Sequence, residues 1–339
     1  LWSRNPGYLQ KHLHTLIAKE KRVIEYWAHA AAYLPMRDYR HTLVIKQYFK
    51  DQKDRWPKPD RKIMKRVYEA VESEGPMMAR DFADVSHRAS GWWDWKPAKW
   101  ALERLFLEGE LVVTERRGFQ KVYDLPERCI PSDVVISHPT PNEHARYLIG
   151  KALDAQGIVS IQDICYLRKG VKKSVEAALS DMVSKGEVEK VKIGRITRPC
   201  YFATPEILTS SSRIAKTVKL ISPFDNLVIQ RKRLHQLFNF DYQIECYVPR
   251  QKRKFGYFAL PILFQDRFVG RADCKADRRS KEFHVYNLAM EKDVKFDELF
   301  IQQLFQGIRE FATFNSCMEV KVHEGSHPDL VKELNRKLQ

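Results

Sequence analysis

The sequence predicts an α+β protein: tandem winged-helix (helix-turn-helix) domains followed by a β-barrel-like domain with closing helices. Three observations carry this. A pattern of helix, glycine, strand, basic turn and strand occurs twice, its helical part reading ALERLFLEGE at 101–110 and ALSDMVSKGE at 178–187. Residues 218–290 alternate apolar and polar side chains in short runs, the period of half-buried strands. Residues 296–314 place apolar side chains at helical spacing.

The first complete unit spans 57–126. Residues 61–74 and 78–84 read as its first two helices. In the third helix Leu102 and Leu105 lie on one face, and Gly109 stops it as a C-cap. Residues 111–115 and 122–125 are the strands of a wing around a basic turn at 116–121. The second unit spans 139–206, with helices over 141–155, 161–167 and 178–187. There Leu179, Met182 and Gly186 repeat the pattern, and the wing comes next at 188–193 and 200–203. A weaker copy fills 1–56, with a last helix over 6–20, a wing over 23–35 and a connecting helix over 38–49. Residues 126–141 link the two complete units. Residues 205–217, rich in Ser and Thr, lead into a β-rich domain at 218–339, with a strand over 318–323 and a closing helix over 328–338.

Lys and Arg number 59 against 43 Asp and Glu, a net charge of +16. Such a surplus favours a polyanion, and nucleic acid first. No apolar run approaches the length of a transmembrane helix, which argues against a membrane partner. The six cysteines at 129, 165, 200, 246, 274 and 317 are scattered singly, as reduced thiols of a cytosolic protein are. None has metal-ligand spacing, so neither metal nor cofactor is expected. A P-loop, GxGxxG, HExxH or nucleophile elbow is not found, so ATP-driven, redox and serine-hydrolase chemistry are unsupported. No signal peptide is visible. The chain opens at Leu1 in sequence of mid-domain character, which leads us to expect that an amino-terminal part precedes it.

In winged helices the third helix usually enters the major groove. Its cations would be Lys96, Lys99 and Arg104 in the first unit, and Lys169, Lys172 and Lys173 in the second. The wings add Arg116, Arg117 and Lys121, then Lys190, Lys192, Arg195 and Arg198. All would touch phosphate, which gives affinity without sequence information; the alternative for each is a solvated charged face. SGWWDW at 90–95 supplies indoles that either stack on an extruded base or pack between units. His29, in YWAH, is either structural or part of the active side. At 250–254, RQKRK lies between two alternating apolar runs, as the cationic tip of a β-hairpin suited to probing DNA. Arg231, Lys232 and Arg233, with Arg271 and Lys275, enlarge that basic surface.

These segments resemble the bacterial YcaQ/AlkZ family of winged-helix DNA glycosylases over most of the chain. The resemblance rests on SPFD (222–225), RKR (231–233), FDY (240–242), ECY (245–247), KR (252–253), GYF (256–258), LP (260–261) and VGR (269–271) followed by Asp273 and Lys275. SGWW, WKP, the first wing and YWAH add to it, and at Gln230 the family carries Asp. The resemblance implies a monomeric, cytoplasmic and nucleoid-associated repair enzyme. Its substrate would be damaged or crosslinked double-stranded DNA. It would excise purines alkylated at N7 or N3 and unhook interstrand crosslinks by hydrolysing the N-glycosidic bond. The family's catalytic Gln-hydrophobic-Asp (or Gln) motif normally lies shortly before the segment matching residues 1–6, and it is absent here. Gln52-Lys-Asp54 has the wrong centre, and Gln243-Ile-Glu245 falls in the barrel region. Supporting candidates are Glu25, His29, Glu245 and Asp273. The rival readings are a DNA-binding protein without catalysis, such as a winged-helix regulator, and a protein-interaction scaffold.

Overall fold

A computed structural model describes residues 1–28, 30–51, 59–85, 97–194, 196–211 and 213–338. The chain opens with helix α1 (Gln10–His14), which runs into a π-helical turn (Thr15–Lys19), then β1 (Val23–Trp27), β2 (Ala31–Pro35) and α2 (Tyr39–Lys50). Next come α3 (Arg61–Glu74), β3 (Met77–Met78), a 3-10 segment (Ala79–Val85), α4 (Pro97–Glu108), β4 (Val112–Arg117), β5 (Gln120–Asp124) and α5 (Pro126–Cys129). They are followed by α6 (Pro141–Gln156), β6 (Ile158–Ser160), α7 (Ile161–Ile164), α8 (Lys172–Ser184), β7 (Glu189–Ile193), β8 (Ile196–Ala203) and α9 (Pro205–Thr209). The last elements are β9 (Val218–Leu220), α10 (Arg231–Phe238), β10 (Ala259–Phe264), β11 (Arg267–Asp277), β12 (Glu282–Met290), α11 (Glu298–Phe314), β13 (Glu319–Gly325) and α12 (Pro328–Leu338).

Two compact units emerge. One comprises Tyr8–Gly150 with Cys165–Asp181, and the other Leu1–Gly7, Lys151–Ile164 and Met182–Gln339. In the first, a five-stranded antiparallel sheet has the order β2-β1-β4-β5-β3. Asp60 caps α3 by accepting from the Lys62 N–H at 2.7 Å. The apolar face of α3 (Val67, Val71) and that of α4 (Ala101, Leu102, Leu105, Phe106) pack with Tyr26, Val113 and Tyr123 of the sheet. Gly109 ends α4 at φ +82°, and a Cβ there would lie 2.5 Å from Lys46 Cδ. Only glycine meets both demands.

In the second unit a five-stranded sheet runs β13-β12-β11-β10-β9, parallel only between β12 and β13. It is open, with β9 and β13 as its edges, so the expectation of a barrel is corrected. The reason lies in α11. As the crossover between β12 and β13 it sets Phe300, Ile301, Leu304 and Ile308 in one core with Ile262, Ala272, Phe283 and Val285. A helix therefore covers the apolar sheet face that closure would otherwise have to bury. A smaller sheet, β6-β8-β7, belongs to the same unit. Leu1–Gly7 is anchored here too. Trp2 packs 5.3 Å from the rings of Phe311 and Phe314, and Arg4 pairs with Asp225 at 2.7 Å.

Several elements differ from the sequence reading, three of them in the unit read as the second winged helix and in the last domain. The helix over 161–167 ends at Ile164, the third helix of that unit begins already at Lys172, and the stretch read as β-rich contains helix α10. Alternation of apolar residues marks one-sided burial, which irregular chain and helix ends share with strands.

Lys46 of α2 is 3% exposed. Its Nζ donates to Tyr39 Oη at 2.8 Å and sits 3.9 Å from that ring's centroid. Burial, seconded by Lys50, lowers its pKa to about 7. The unfolded chain holds this proton to about pH 10.4. Between those values the unfolded state binds more protons, so stability rises with pH. Lys46→Met should flatten that rise, read as melting temperature from pH 7 to 10. An unchanged slope refutes the assignment.

Candidate nucleic-acid interface

The basic segment at 250–254 is not a hairpin tip. Among the described residues no strand flanks it on the amino-terminal side; Arg250–Lys252 is one 3-10 turn, and β10 starts only at Ala259. The segment belongs to a loop wrapped around a carboxylate. Glu245 is 6% exposed and accepts the backbone N–H groups of Lys254 (3.0 Å), Phe255 (2.8 Å) and Gly256 (3.1 Å). Burial works against its ionisation, but these three donors, helped by Arg271, outweigh it and lower its pKa. Asp273 on β11 continues the row, accepting from Tyr257 N–H at 3.1 Å and Phe258 N–H at 2.8 Å. Gly256 has φ +139°, and a Cβ there would stand 2.1 Å from Asp273 Oδ2.

Arginines finish the scaffold. Arg271 is 5% exposed, with its guanidinium 4.4 Å from the Phe240 ring and 4.1 Å from the Phe255 ring. It donates to the Asp241 carbonyl at 2.9 Å and pairs with Glu291. Arg253 donates to the carbonyls of Glu245 (3.2 Å) and Val248 (2.9 Å) and covers the Tyr257 ring. Arg231 lies over Tyr242 and donates to the Pro223 carbonyl at 3.0 Å. Arg250, Lys252 and Lys254 remain exposed, with no carboxylate partner among the described residues. Beside them Tyr247 is 84% exposed.

The other predicted cations divide the same way. Arg104, expected on an exposed face, is 3% exposed, pairs with Glu108 at 2.6 Å and donates to the Phe49 carbonyl. Arg233 is equally buried, donating to the Ile158 carbonyl at 2.9 Å beside Asp163. Gln230 donates to the Asp163 carbonyl at 3.2 Å, a bond that an ionised Asp at this position would be unable to make. On the wing, Arg116 grips Glu25 through two bonds of 2.6 and 2.7 Å, which raises the guanidinium pKa. Lys121 pairs with Glu103 at 2.8 Å, and Arg117 with Glu115 at 2.7 Å. Lys172 pairs with Glu176 at 3.7 Å and is largely exposed. Lys99, Lys173, Lys192, Lys232 and Lys275 are exposed. Lys96, Arg195, His29, residues 90–95 and Gln52-Lys-Asp54 lie outside the described residues.

Among the supporting catalytic candidates, Glu25 is 5% exposed with both carboxylate oxygens bonded to Arg116. Glu245 and Asp273 are committed to backbone N–H groups. All three carboxylates thus hold bonds within the fold.

A cavity of about 860 Å³ in the first unit escaped the sequence reading. Trp27, His41, Tyr48, His144, Tyr147 and Arg168 are among its walls. The His41 and Tyr147 rings stack at 3.8 Å, and His41 and His144 approach Nδ1 to Nδ1 at 3.4 Å. Burial, then His41 and Arg168, lowers the His144 pKa to about 4, so it is neutral at physiological pH. These side chains come from segments far apart in sequence, and no spacing rule joins them.

Glu245 provides a test. Its lowered pKa gives stability that is complete above the ordinary carboxylate value and lost as pH falls through the folded value. Glu245→Gln should remove that part of the acid limb of a stability–pH profile. At pH 7 it should cost about 2 kcal/mol, since bonds to a charged acceptor are lost. An unaltered acid limb means that the carboxylate does not hold the loop.

Known proteins bear out this kinship. A family model described as DNA glycosylase AlkZ-like matches residues 1–314. Among solved structures, the Streptomyces sahachiroi DNA glycosylase AlkZ superposes with a TM-score of 0.58. The alignment has 14% identity and covers 93% of this chain and 84% of that one, a likeness of mixed α+β fold. With its family match running from Leu1 to Phe314, the chain belongs to the AlkZ-like DNA glycosylase family.

Proposed function

We propose that this protein excises purines alkylated at N7 or N3 from duplex DNA and unhooks interstrand crosslinks, acting as a cytoplasmic monomer. The observation that carries the reading is the family match over 1–314 on a chain of net charge +16. The order α3, 3-10 segment, α4, β4, β5 supports a winged helix, and α6, α7, α8, β7, β8 a second. We assign their third helices and the loop cations Arg250, Lys252 and Lys254 to phosphate contact. Among the described residues no helix is long and apolar enough to cross a membrane.

The chemistry asks little of the protein. A purine alkylated on a ring nitrogen is cationic and departs neutral when its bond to C1′ breaks. Water adds its oxygen to C1′ and gives up a proton. What the enzyme supplies is a fixed acceptor beside the cationic sugar, and such a group typically contributes on the order of a hundredfold or more in rate. Because Glu25, Glu245 and Asp273 are committed to bonds within the fold, we assign the water-positioning role to another residue.

Two measurements test the reading. Duplex DNA should bind with an affinity that falls steeply as salt rises. Replacing Arg250, Lys252 and Lys254 together by Ala should reduce the log–log salt slope by up to about 3. The melting temperature should stay nearly constant, because exposed side chains contribute little to folding. Arg253→Ala should instead destabilise the loop. The catalytic half is read as release of N7-methylguanine from methylated duplex, using the chain with any residues its reading frame encodes ahead of Leu1. Salt-independent binding defeats the DNA assignment, and binding without base release leaves a DNA-binding protein that is not catalytic.

A further inference from the structure

The wing β4–β5 was expected from sequence to contact phosphate, yet its cations are all matched. Arg116 faces Glu25, Lys121 faces Glu103 and Arg117 faces Glu115. The hairpin is close to neutral, so its purpose differs from that of the unmatched loop cations. At its tip stands Phe119, 98% exposed. The turn is as short as a hairpin allows, since Arg117 pairs with Gln120 and Gly118, at φ +62°, supplies the left-handed corner. Its mounting is stiff. The same Arg116 guanidinium that grips the buried Glu25 from two sides donates its third nitrogen to the Phe119 carbonyl at 2.7 Å. A large apolar ring is therefore held clear of the protein on a rigid stem whose cations are paired.

We propose that Phe119 is the wedge of this enzyme: it enters the base stack of duplex DNA and fills the space from which the target nucleotide is extruded. The proposal rests on the DNA-glycosylase reading of the chain. Enzymes that act on a base take it out of the stack, and the unstacked step needs a substitute surface. Proteins that open a base step use apolar side chains such as Phe, Leu, Ile or Met for it. Pre-ordering by Arg116 lowers the entropy lost on insertion. Near-neutrality of the stem suits a group that must pass between the phosphate backbones and enter the stack without being held outside by ionic bonds.

The test uses the 339-residue chain, Phe119→Ala and Phe119→Leu. The probe is a duplex with 2-aminopurine beside a tetrahydrofuran abasic site, against the same sequence fully paired. Wild type should prefer the abasic duplex and raise 2-aminopurine fluorescence by unstacking it. In Phe119→Ala that preference should shrink at least roughly fivefold, the low end of one base–aromatic stack, and the fluorescence rise should vanish. Affinity for the paired duplex and the melting temperature should persist. Phe119→Leu should restore most of both signals, which a purely structural role would not produce. If Phe119→Ala keeps preference and fluorescence, the wedge is refuted while the DNA-binding reading survives. If wild type binds neither duplex, the glycosylase reading fails and the wedge falls with it.

Discussion

The carboxylate of Glu245, accepting three consecutive backbone N–H groups, is the contact on which the surface at 245–258 depends. Among the described residues no strand pairs with 239–249, so their polar groups must be satisfied one by one. Glu245 and Asp273 take five N–H groups of the segment 254–258. Arg253 satisfies two carbonyls on the approach. Arg271, clamped between two phenylalanines, fixes the distance between loop and sheet. The motifs that carry the family resemblance thus describe one object. FDY supplies a ring for Arg271 and the Tyr242 hydroxyl that donates to the Ala259 carbonyl at 2.7 Å; ECY supplies the acceptor; GYF supplies the glycine under Asp273. With the scaffold so fully committed, Arg250, Lys252 and Lys254 are left to face solvent.

Much of the fold could be read from the sequence. Helix α3 and helix α12 begin and end where periodicity put them, because Asp60 caps one and Pro328 opens the other. The repeated apolar-x-x-apolar-x-x-x-glycine ending located α4 and α8, since a left-handed residue must follow a helix whose last carbonyls need partners. Alternation failed in the last third. Phe238 and Phe240 alternate like a strand but bury their rings against Phe268 from a helix end and a loop. Period two is a statement about burial, and only the neighbour decides whether the backbone is a ladder. Closure into a barrel was likewise beyond reach, because whether a helix covers the sheet face depends on tertiary packing.

The site was less legible than the fold for a definite reason. Basic residues were taken as surface, yet Arg104, Arg233 and Arg271 are buried. Only Arg104 carried a local sign, in Glu108 four residues on, the spacing of a helical ion pair. The partner of Arg233 is Asp163 and that of Arg116 is Glu25, both distant in sequence, so no window reveals them. The bonds of Glu25, Glu245 and Asp273 were hidden for a complementary reason: a carboxylate within a motif reads the same whether it serves a reaction or a backbone.

Pairing also explains how net charge and site can be reconciled. Each buried arginine brings a carboxylate with it, as burial of a single ion would cost several kcal/mol. Removing matched pairs such as Arg104–Glu108, Arg116–Glu25, Arg233–Asp163 and Arg271–Glu291 from the count leaves +16 untouched. Part of that surplus is carried by described groups without a carboxylate partner. Among the predicted cations those include the loop trio Arg250, Lys252 and Lys254, while the first wing contributes none. In the proposed reading, phosphate attraction and base-step opening fall to different segments of the chain. A cationic loop gains affinity from counterion release wherever it touches the backbone. In that reading a charge-matched, braced hairpin gains energy only where stacking has been weakened, and damaged or unpaired steps are the ones that are easiest to open.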